Sequence, residues 1–263
     1  MLKFCSLYSG STGNSSLVQS DTTSILVDAG VSAKKLAEAL NELDIPTQSL
    51  SGILITHEHS DHIKGLGTFS KKYNIPVFAN IETWKAMPVE KEKIAFENQR
   101  IIEVNSEFTI GDLNILAFPI PHDAACPCGY NIFNSGKKIS IATDIGHISD
   151  EVMPYLENSN FALIESNYDL SVLRYSAYPA KLKARISGPN GHLSNNSCGK
   201  LISHLMKTGL DSVMLGHLSK ENNFPELAHQ TILEELNKNN MDSSKIDIFV
   251  AKRDNPSQFI NII

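Results

Sequence analysis

Three histidines and one aspartate lie within six consecutive residues of the sequence, in the run His57-Glu-His-Ser-Asp-His62. The run follows a short apolar stretch that is predicted to be a strand. Side chains alternate along extended backbone, so His57 and His59 would point the same way, and a helix beginning after them would bring Asp61 and His62 forward. Neutral imidazole and carboxylate suit a borderline divalent ion such as zinc, and four such groups can serve two ions. The alternative interpretation is a polar surface turn.

The elements that must position this run alternate between strand-like and helix-like segments along the whole chain. Strands are predicted at Leu2–Tyr8, Ser24–Asp28, Gly52–Thr56, Leu113–Phe118, Lys138–Thr143, Phe161–Glu165, Ser212–Leu215 and Asp247–Ala251. Helices are predicted at Ala33–Leu43, His62–Lys72, Asp150–Glu157, Asn196–Lys207 and Pro225–Lys238. Because no linker separates these elements, the sequence predicts one α/β domain over residues 1–263.

Composition narrows the class of protein further. Of the 263 residues, 41% are hydrophobic, and the formal net charge is −6, which argues against a generally basic nucleic-acid binder. The sequence shows no secretory signal and no apolar stretch long enough to span a membrane, so no membrane partner is expected. Four cysteines are too few and too irregularly spaced for a disulfide framework. These features predict a cytoplasmic protein.

The pattern His-x-His-x-Asp-His after a buried strand resembles the signature of the metallo-β-lactamase fold hydrolases. The resemblance implies a four-layer αβ/βα sandwich, with metal ions at one edge between two sheets. Four further positions match the family's landmarks in order, each near a predicted strand end: Asp28, His122, Asp144 and His217. In the family the first of these aspartates orients the metal-binding loop.

The resemblance also implies how the ligands are shared between two divalent ions, Zn²⁺ or Mn²⁺. One ion would be held by His57, His59 and His122. The other would be held by Asp61, His62 and His217, with Asp144 bridging both ions and Asp61 also expected to be catalytic. A hydroxide held between two such ions would be the nucleophile.

Two features favour phosphodiester chemistry among the activities of this fold. Glu165 stands at a predicted strand end and His192 just before a predicted helix, and together they resemble a motif of the tRNA 3′-processing nucleases. In that group a carboxylate–imidazole pair protonates the leaving oxygen, which general acid catalysis explains. The alternative is a structural Glu at a strand end and a His beside a helix cap. By contrast, His59 replaces the Glu of the diiron branch, and Asp144 stands where most secreted β-lactamases have Cys.

Three longer runs resemble the YycJ/WalJ-type bacterial metallohydrolases, which are linked to exonuclease action on DNA. They are Ser9–Asn14, Pro121–Ala125 and Leu215–Asn223. Cys126 and Cys128 depart from the acidic or neutral residues expected after the histidine of the second run. They would be extra metal ligands, oxidation-sensitive thiols or ordinary loop cysteines.

Residues 168–195 show little apolar periodicity and are predicted to form a long loop or insertion. The stretch contains four cations that could contact backbone phosphates and three tyrosines that could stack on bases. The cations are Arg174, Lys181, Lys183 and Arg185, and the tyrosines are Tyr168, Tyr175 and Tyr178. The alternative is a solvated surface loop.

These observations predict a metal-dependent phosphodiesterase that acts on nucleic acid, specifically a DNA exonuclease. The alternative within enzymology is a hydrolase of a small thioester, lactone or cyclic phosphodiester. A metal-dependent binding protein without turnover is the alternative from another class. The sequence leaves open the DNA or RNA specificity, the polarity and the oligomeric state.

Overall fold

A computed structural model describes all 263 residues of the chain. Its strands, in chain order, are β1 Leu2–Tyr8, β2 Ser15–Gln19, β3 Ser24–Val27, β4 Leu50–Leu54, β5 Val77–Asn80, β6 Gln99–Ile102, β7 Glu107–Ile110, β8 Leu113–Pro119, β9 Cys128–Asn134, β10 Lys137–Ala142, β11 Phe161–Glu165, β12 Ser212–Gly216, β13 Asp247–Val250 and β14 Ile260–Ile262. Its helices are α1 Ala33–Glu42, α2 Ser60–Ile63, α3 Leu66–Tyr73, α4 Ile81–Ala86, α5 Pro88–Lys93, α6 Met153–Leu156, α7 Leu170–Tyr175, α8 Ala180–Ile186, α9 Asn195–Leu205 and α10 Pro225–Lys238.

The strands form two seven-stranded sheets, in the orders β14-β1-β2-β3-β4-β5-β6 and β13-β12-β11-β10-β9-β8-β7. Both sheets are mixed: β3 to β6 are parallel in the first, and β10 to β13 in the second. In the second sheet, Leu163 pairs with Ile141 on one side and with Met214 on the other. Since parallel strands end at the same edge, residues that follow β10, β11 and β12 are brought together.

Three buried hydrophobic clusters define the layers. One lies between the sheets and joins Phe4 and Ile25 of the first sheet to Ile132 and Phe161 of the second. A second cluster packs the first sheet against α1, α3 and α4, and a third packs the second sheet against α9 and α10. The predicted four-layer αβ/βα sandwich is therefore confirmed. None of the helices has the length and hydropathy that crossing a membrane requires.

The predicted helix over 62–72 is wrong as a single helix, because the chain forms α2 and α3 with Gly65 between them. A Cβ at Gly65 would come 2.1 Å from the carbonyl oxygen of Val31, so the backbone there packs directly on the preceding loop. The predicted helix over 150–157 is reduced to the single turn of α6.

The prediction of a long loop over 168–195 is also wrong, since α7, α8 and the beginning of α9 lie within it. In α7, the Asp169 side chain accepts hydrogen bonds from the backbone of Ser171 and Val172, which starts the helix. Cys128 is not a loop residue either, because it begins β9 and is buried. Six strands, β2, β5, β6, β7, β9 and β14, were not predicted; four of them have four residues or fewer.

Candidate metal centre

The candidate site lies at the edge where strands of both sheets end. Asp28 directly follows β3 and His217 directly follows β12, while Asp144 stands two residues after β10. All three adopt left-handed backbone, with φ of 64°, 52° and 57° respectively. Residues other than glycine rarely adopt this conformation, and it concentrates at functional sites. The backbone thus turns sharply at each strand end and directs these side chains into one cluster.

The structure brings together all seven predicted metal ligands. Their donor atoms form overlapping groups, within each of which the atoms lie no more than 4.8 Å apart. The groups are His57, His59 and His122; His57, His62 and Asp144; Asp61, His62 and His217; and Asp144, Glu165, His192 and His217. The first and third are the two sets that the family resemblance assigned to separate ions.

Four of these histidines have Nδ1 beside a polar partner, which orients the ring. The partners are Thr56 Oγ1 at 3.0 Å for His57, Asp28 Oδ2 at 2.7 Å for His62, the Gly191 carbonyl oxygen at 3.1 Å for His122, and Glu165 Oε1 at 2.8 Å for His217. Nε2 is therefore the atom left to face the cluster. The Nε2 atoms of His57 and His217 are buried and form no hydrogen bond. Buried, unpartnered imidazole nitrogens beside carboxylates fit a divalent cation.

Asp28 holds the metal-binding run against the end of β3. Its Oδ1 accepts a hydrogen bond from the Thr56 backbone at 2.9 Å, and its Oδ2 lies 2.9 Å from Thr56 Oγ1 and 2.7 Å from His62 Nδ1. This is the geometry of an orienting carboxylate behind a ligand histidine.

The charges of the cluster move the titration of its members in opposite directions. Burial lowers the pKa of His62 and His217, but the Asp144 carboxylate and the neighbouring acids outweigh burial and raise both, that of His217 to about 10. Burial raises the pKa of Asp144, but the two histidines outweigh it and hold that pKa well below its usual range. Burial, with the charge of His62, holds the pKa of His57 well below its usual range. These shifts favour an ion-pair network in which His62 and His217 are protonated and Asp144 is ionised.

Glu165 and His192, which are far apart in the sequence, meet beside this cluster. Glu165 Oε1 lies 2.8 Å from both His192 Nδ1 and His217 Nδ1. Its Oε2 accepts hydrogen bonds from the backbone of Ile145 at 2.9 Å and Leu193 at 3.1 Å. Burial lowers the pKa of His192, but the charge and hydrogen bond of Glu165 outweigh it and raise that pKa. One buried carboxylate therefore orients both a candidate ligand and a candidate acid.

A cavity of about 270 Å³ opens onto the cluster. His59, Asp61 and His192 line it on the metal side, while α8 and the residues before it supply a wall that includes Tyr178 and Arg185. The Arg185 Nε donates to Asp123 Oδ2 at 2.7 Å. The cavity is polar, partly open and bounded by both cations and carboxylates.

Arg185 is the one predicted phosphate contact that lines this cavity. Lys181 is exposed on α8, and Lys183 Nζ donates to the Arg174 carbonyl oxygen at 2.7 Å. Tyr168 is buried, so its predicted role in base stacking is wrong. The roles of the other three cations stay predictions.

Neither Cys126 nor Cys128 belongs to a potential metal-binding group in the structure. Burial raises the pKa of the Cys128 thiol to about 12, and its sulfur lies 3.5 Å from the Thr56 carbonyl oxygen. Cys128 therefore packs beneath the metal-binding run as a neutral thiol.

Three polar residues of the cavity were not predicted individually: Ser11, Asn167 and Ser219. Asn167 Nδ2 donates to the His217 carbonyl oxygen at 2.8 Å, which connects β11 to the loop after β12. Ser11 and Ser219 lie within two of the runs on which the family resemblance depends. Only membership of those runs could have identified the two serines from sequence, because isolated serine and asparagine residues do not indicate a particular chemistry.

Comparison with known proteins gives matches over most of the chain. Residues 23–218 match a family model described as the beta-lactamase superfamily domain. The chain is 40% identical over 236 residues to the exodeoxyribonuclease WalJ of Streptococcus pneumoniae D39, covering 89% of this chain and 88% of that protein. It is 38% identical over 235 residues to the exodeoxyribonuclease YycJ of Bacillus anthracis, covering 89% of each.

The crystal structure of the short form of human tRNase Z superposes on the fold with a TM-score of 0.65. That match covers 99% of each chain at 14% sequence identity, so it concerns the fold alone.

Proposed function

This chain belongs to the beta-lactamase superfamily and, within it, to the family of the exodeoxyribonucleases WalJ and YycJ, and on that premise we propose that it is a metal-dependent DNA exonuclease. The observation that carries the proposal is the Glu165–His192 pair, which stands beside the candidate ligands with His192 lining the cavity. The proposed unit is one domain of residues 1–263, supported by an inter-sheet core that contains both Leu2 and Ile262. We place it in the cytoplasm, and its four cysteines are free thiols.

The proposed ligands are those that the sequence predicted. His57, His59 and His122 would hold one cation, Asp61, His62 and His217 the other, and Asp144 would contact both. Two divalent cations, Zn²⁺ or Mn²⁺, would polarise the phosphoryl oxygens and lower the pKa of an attacking water. The unpartnered Nε2 atoms of His57 and His217 support this arrangement.

His192 is the proposed general acid. With Nδ1 engaged by Glu165, its Nε2 is free to donate a proton to the oxygen that leaves phosphorus. The raised pKa of His192, caused by the Glu165 charge and hydrogen bond, favours the protonated ring. Asp61, which lines the cavity, would accept a hydrogen bond from the attacking water.

Arg185 is the proposed contact for a substrate phosphate near the scissile bond, because it combines a cation with a place in the cavity wall. Arg174, Lys181 and Lys183 would contact the strand farther from the reacting phosphorus. A small-molecule hydrolase is the second candidate function, and the small volume of the cavity, about 270 Å³, favours it.

The test is degradation of end-labelled double-stranded DNA, single-stranded DNA and RNA with Mn²⁺ or Zn²⁺. We expect stepwise loss from one DNA end, which also gives the polarity, and no loss with the Asp61→Ala variant. His192→Ala should lower the rate about 10²-fold or more, as removal of a general acid does. His229→Ala, on α10 and outside the residues that line the cavity, is the matched control and should keep full activity.

Survival of all three polymers with both metals would contradict the nuclease proposal. Hydrolysis of small esters or cyclic phosphodiesters by the same preparation would then favour the second candidate.

A further inference from the structure

A second cavity, of about 540 Å³, lies behind the loop that follows β12. Successive residues of this loop face the two cavities in turn: His217 and Ser219 line the metal-centre cavity, whereas Leu218 and Lys220 line the second. The loop after β1 is shared in the same way, with Ser11 in the first cavity and Ser9 in the second. The two cavities are therefore neighbours, separated by the thickness of single loops.

The second cavity is cationic in a protein whose net charge is −6. Lys220, Lys252 and Arg253 line it, against one acid, Asp254. Lys220 and Lys252 are exposed, and neither forms a salt bridge within 4.0 Å in the structure. Uncompensated cations collected at a concave surface attract anions.

Arg253 is a partly buried cation in the lining of this cavity. Its Nη2 donates to the Leu218 carbonyl oxygen at 2.8 Å, while its Nη1 is buried and has no hydrogen-bond partner. A Cβ at Gly10 would come 2.5 Å from that Nη1, so the guanidinium packs directly against the loop after β1. Arg253 thus touches both shared loops, and its charge is not neutralised within the protein.

Phe224 supplies an aromatic surface at the same cavity. It directly precedes α10, and 51% of it is exposed. An exposed ring beside lysines is the combination that binds single-stranded nucleic acid, because bases stack on the ring while phosphates contact the cations.

We propose that this second cavity binds the strand of the substrate beyond the reacting nucleotide, with phosphates at Lys220 and Lys252 and a base stacked on Phe224. The proposal rests on the proposed nuclease function and assigns the strand a path over the loop after β12. A DNA strand that leaves the metal centre past Ser219 would meet Lys220 next. The loop after β12 would therefore contact both the reacting nucleotide and the nucleotides beyond it.

The test compares a long and a short substrate of the same enzyme. The variants are Lys220→Ala/Lys252→Ala and Phe224→Ala, and the control is Lys34→Ala/Lys71→Ala, which removes the same charge from exposed positions on α1 and α3. The short substrate is bis(4-nitrophenyl) phosphate, which reaches only the metal centre. Binding of single-stranded DNA is measured by fluorescence anisotropy in a His192→Ala background, across a range of salt concentrations.

For DNA, we expect the KM to rise about tenfold for Phe224→Ala, in keeping with the loss of one base stack. The lysine double variant should reduce the slope of log K against log salt by about 1.4, since each single-strand phosphate contact contributes about 0.7. Turnover of bis(4-nitrophenyl) phosphate should stay within twofold of the wild type for all variants. The control should behave as the wild type with both substrates.

Wild-type KM and DNA affinity in both cavity variants would overturn the proposal while leaving the nuclease function intact. If the wild type hydrolyses the small ester but cuts no DNA, the nuclease proposal fails, and the anisotropy series still decides whether the cavity binds a strand. An equal loss with the control variant would assign the effect to overall charge and would also overturn the proposal.

Discussion

Replacing Glu165 by Gln tests whether one buried carboxylate organises the candidate active site. Glu165 has no exposed surface and has four N–H groups around its two oxygens, two from histidine rings and two from the backbone of Ile145 and Leu193. A carboxamide has one oxygen and one NH₂, so two of the four donors must face another donor. Each unsatisfied buried donor costs about 1–3 kcal/mol, so the substitution should lower the free energy of unfolding by about 2–6 kcal/mol.

The chemical consequence depends on the pKa of His192. Burial alone would lower that pKa, and the Glu165 charge raises it. A general acid must be protonated, so activity is lost as the pH rises through its pKa, and a raised pKa extends the active range upward. The Glu165→Gln variant lacks the negative charge that raises the pKa of His192, whereas burial still lowers that pKa. The alkaline limb of the kcat/KM profile should therefore move to lower pH.

The assay combines the pH profile of DNA cleavage, the metal content of the purified protein and urea unfolding. Glu157→Gln is the matched control, because it changes another Glu–His pair that lies outside the site. The distance between Glu157 Oε1 and His204 Nε2 is 2.7 Å. The control should leave the profile unchanged. If the Glu165→Gln variant has the same alkaline limb and the same metal content as the wild type, the assignment of Glu165 as the positioning residue is refuted.

Three further predictions concern the metal centre. Asp28→Asn replaces the oxygen that accepts from His62, and should weaken metal affinity about 10–100-fold, as measured by competition with a chromophoric chelator; unchanged affinity would exclude the orienting role. Gly30→Ala would bring a Cβ to 1.7 Å from the Asp61 carbonyl oxygen, so the metal-binding loop must shift, and the variant should lose both bound metal and several degrees of melting temperature. Metal uptake must displace the proton that the raised pKa of His217, about 10, keeps on the ring, so affinity should rise with pH, and calorimetry in buffers of different ionisation enthalpy should detect proton release.

The ligand run was predictable from sequence because its information is local. A buried strand, alternating histidines and a following turn occupy a dozen residues. Positions farther along the chain, such as Asp144, were identified through the resemblance to the metallo-β-lactamase fold hydrolases. The predicted bounds of the strands also agree closely with the structure, and those of β1 and β11 agree at both ends.

The cavity wall was not predictable, and the reason is physical. α7 and α8 have six and seven residues, too short to be stable alone, and α8 has no buried residue that would give it an apolar face. Tertiary contacts, such as the ion pair of Arg185 with Asp123 in the loop that follows His122, link this segment to the site. Similarly, the short strand β6 pairs only along one edge and shows a mixed polar pattern.

The three left-handed residues show why the geometry of the site depends on residues that are not ligands. The Asp28 backbone N–H donates to the Leu54 carbonyl oxygen at 2.8 Å, and the His217 N–H donates to Ser9 Oγ at 2.8 Å. The residue after Asp144 is fixed through Glu165. Each unfavourable φ is therefore held by a hydrogen bond from another strand or loop, which is how strain persists at functional sites. The geometry of the cluster therefore depends on these hydrogen bonds, and its affinity for cations should respond to changes at Ser9 as well as to changes in the ligands themselves.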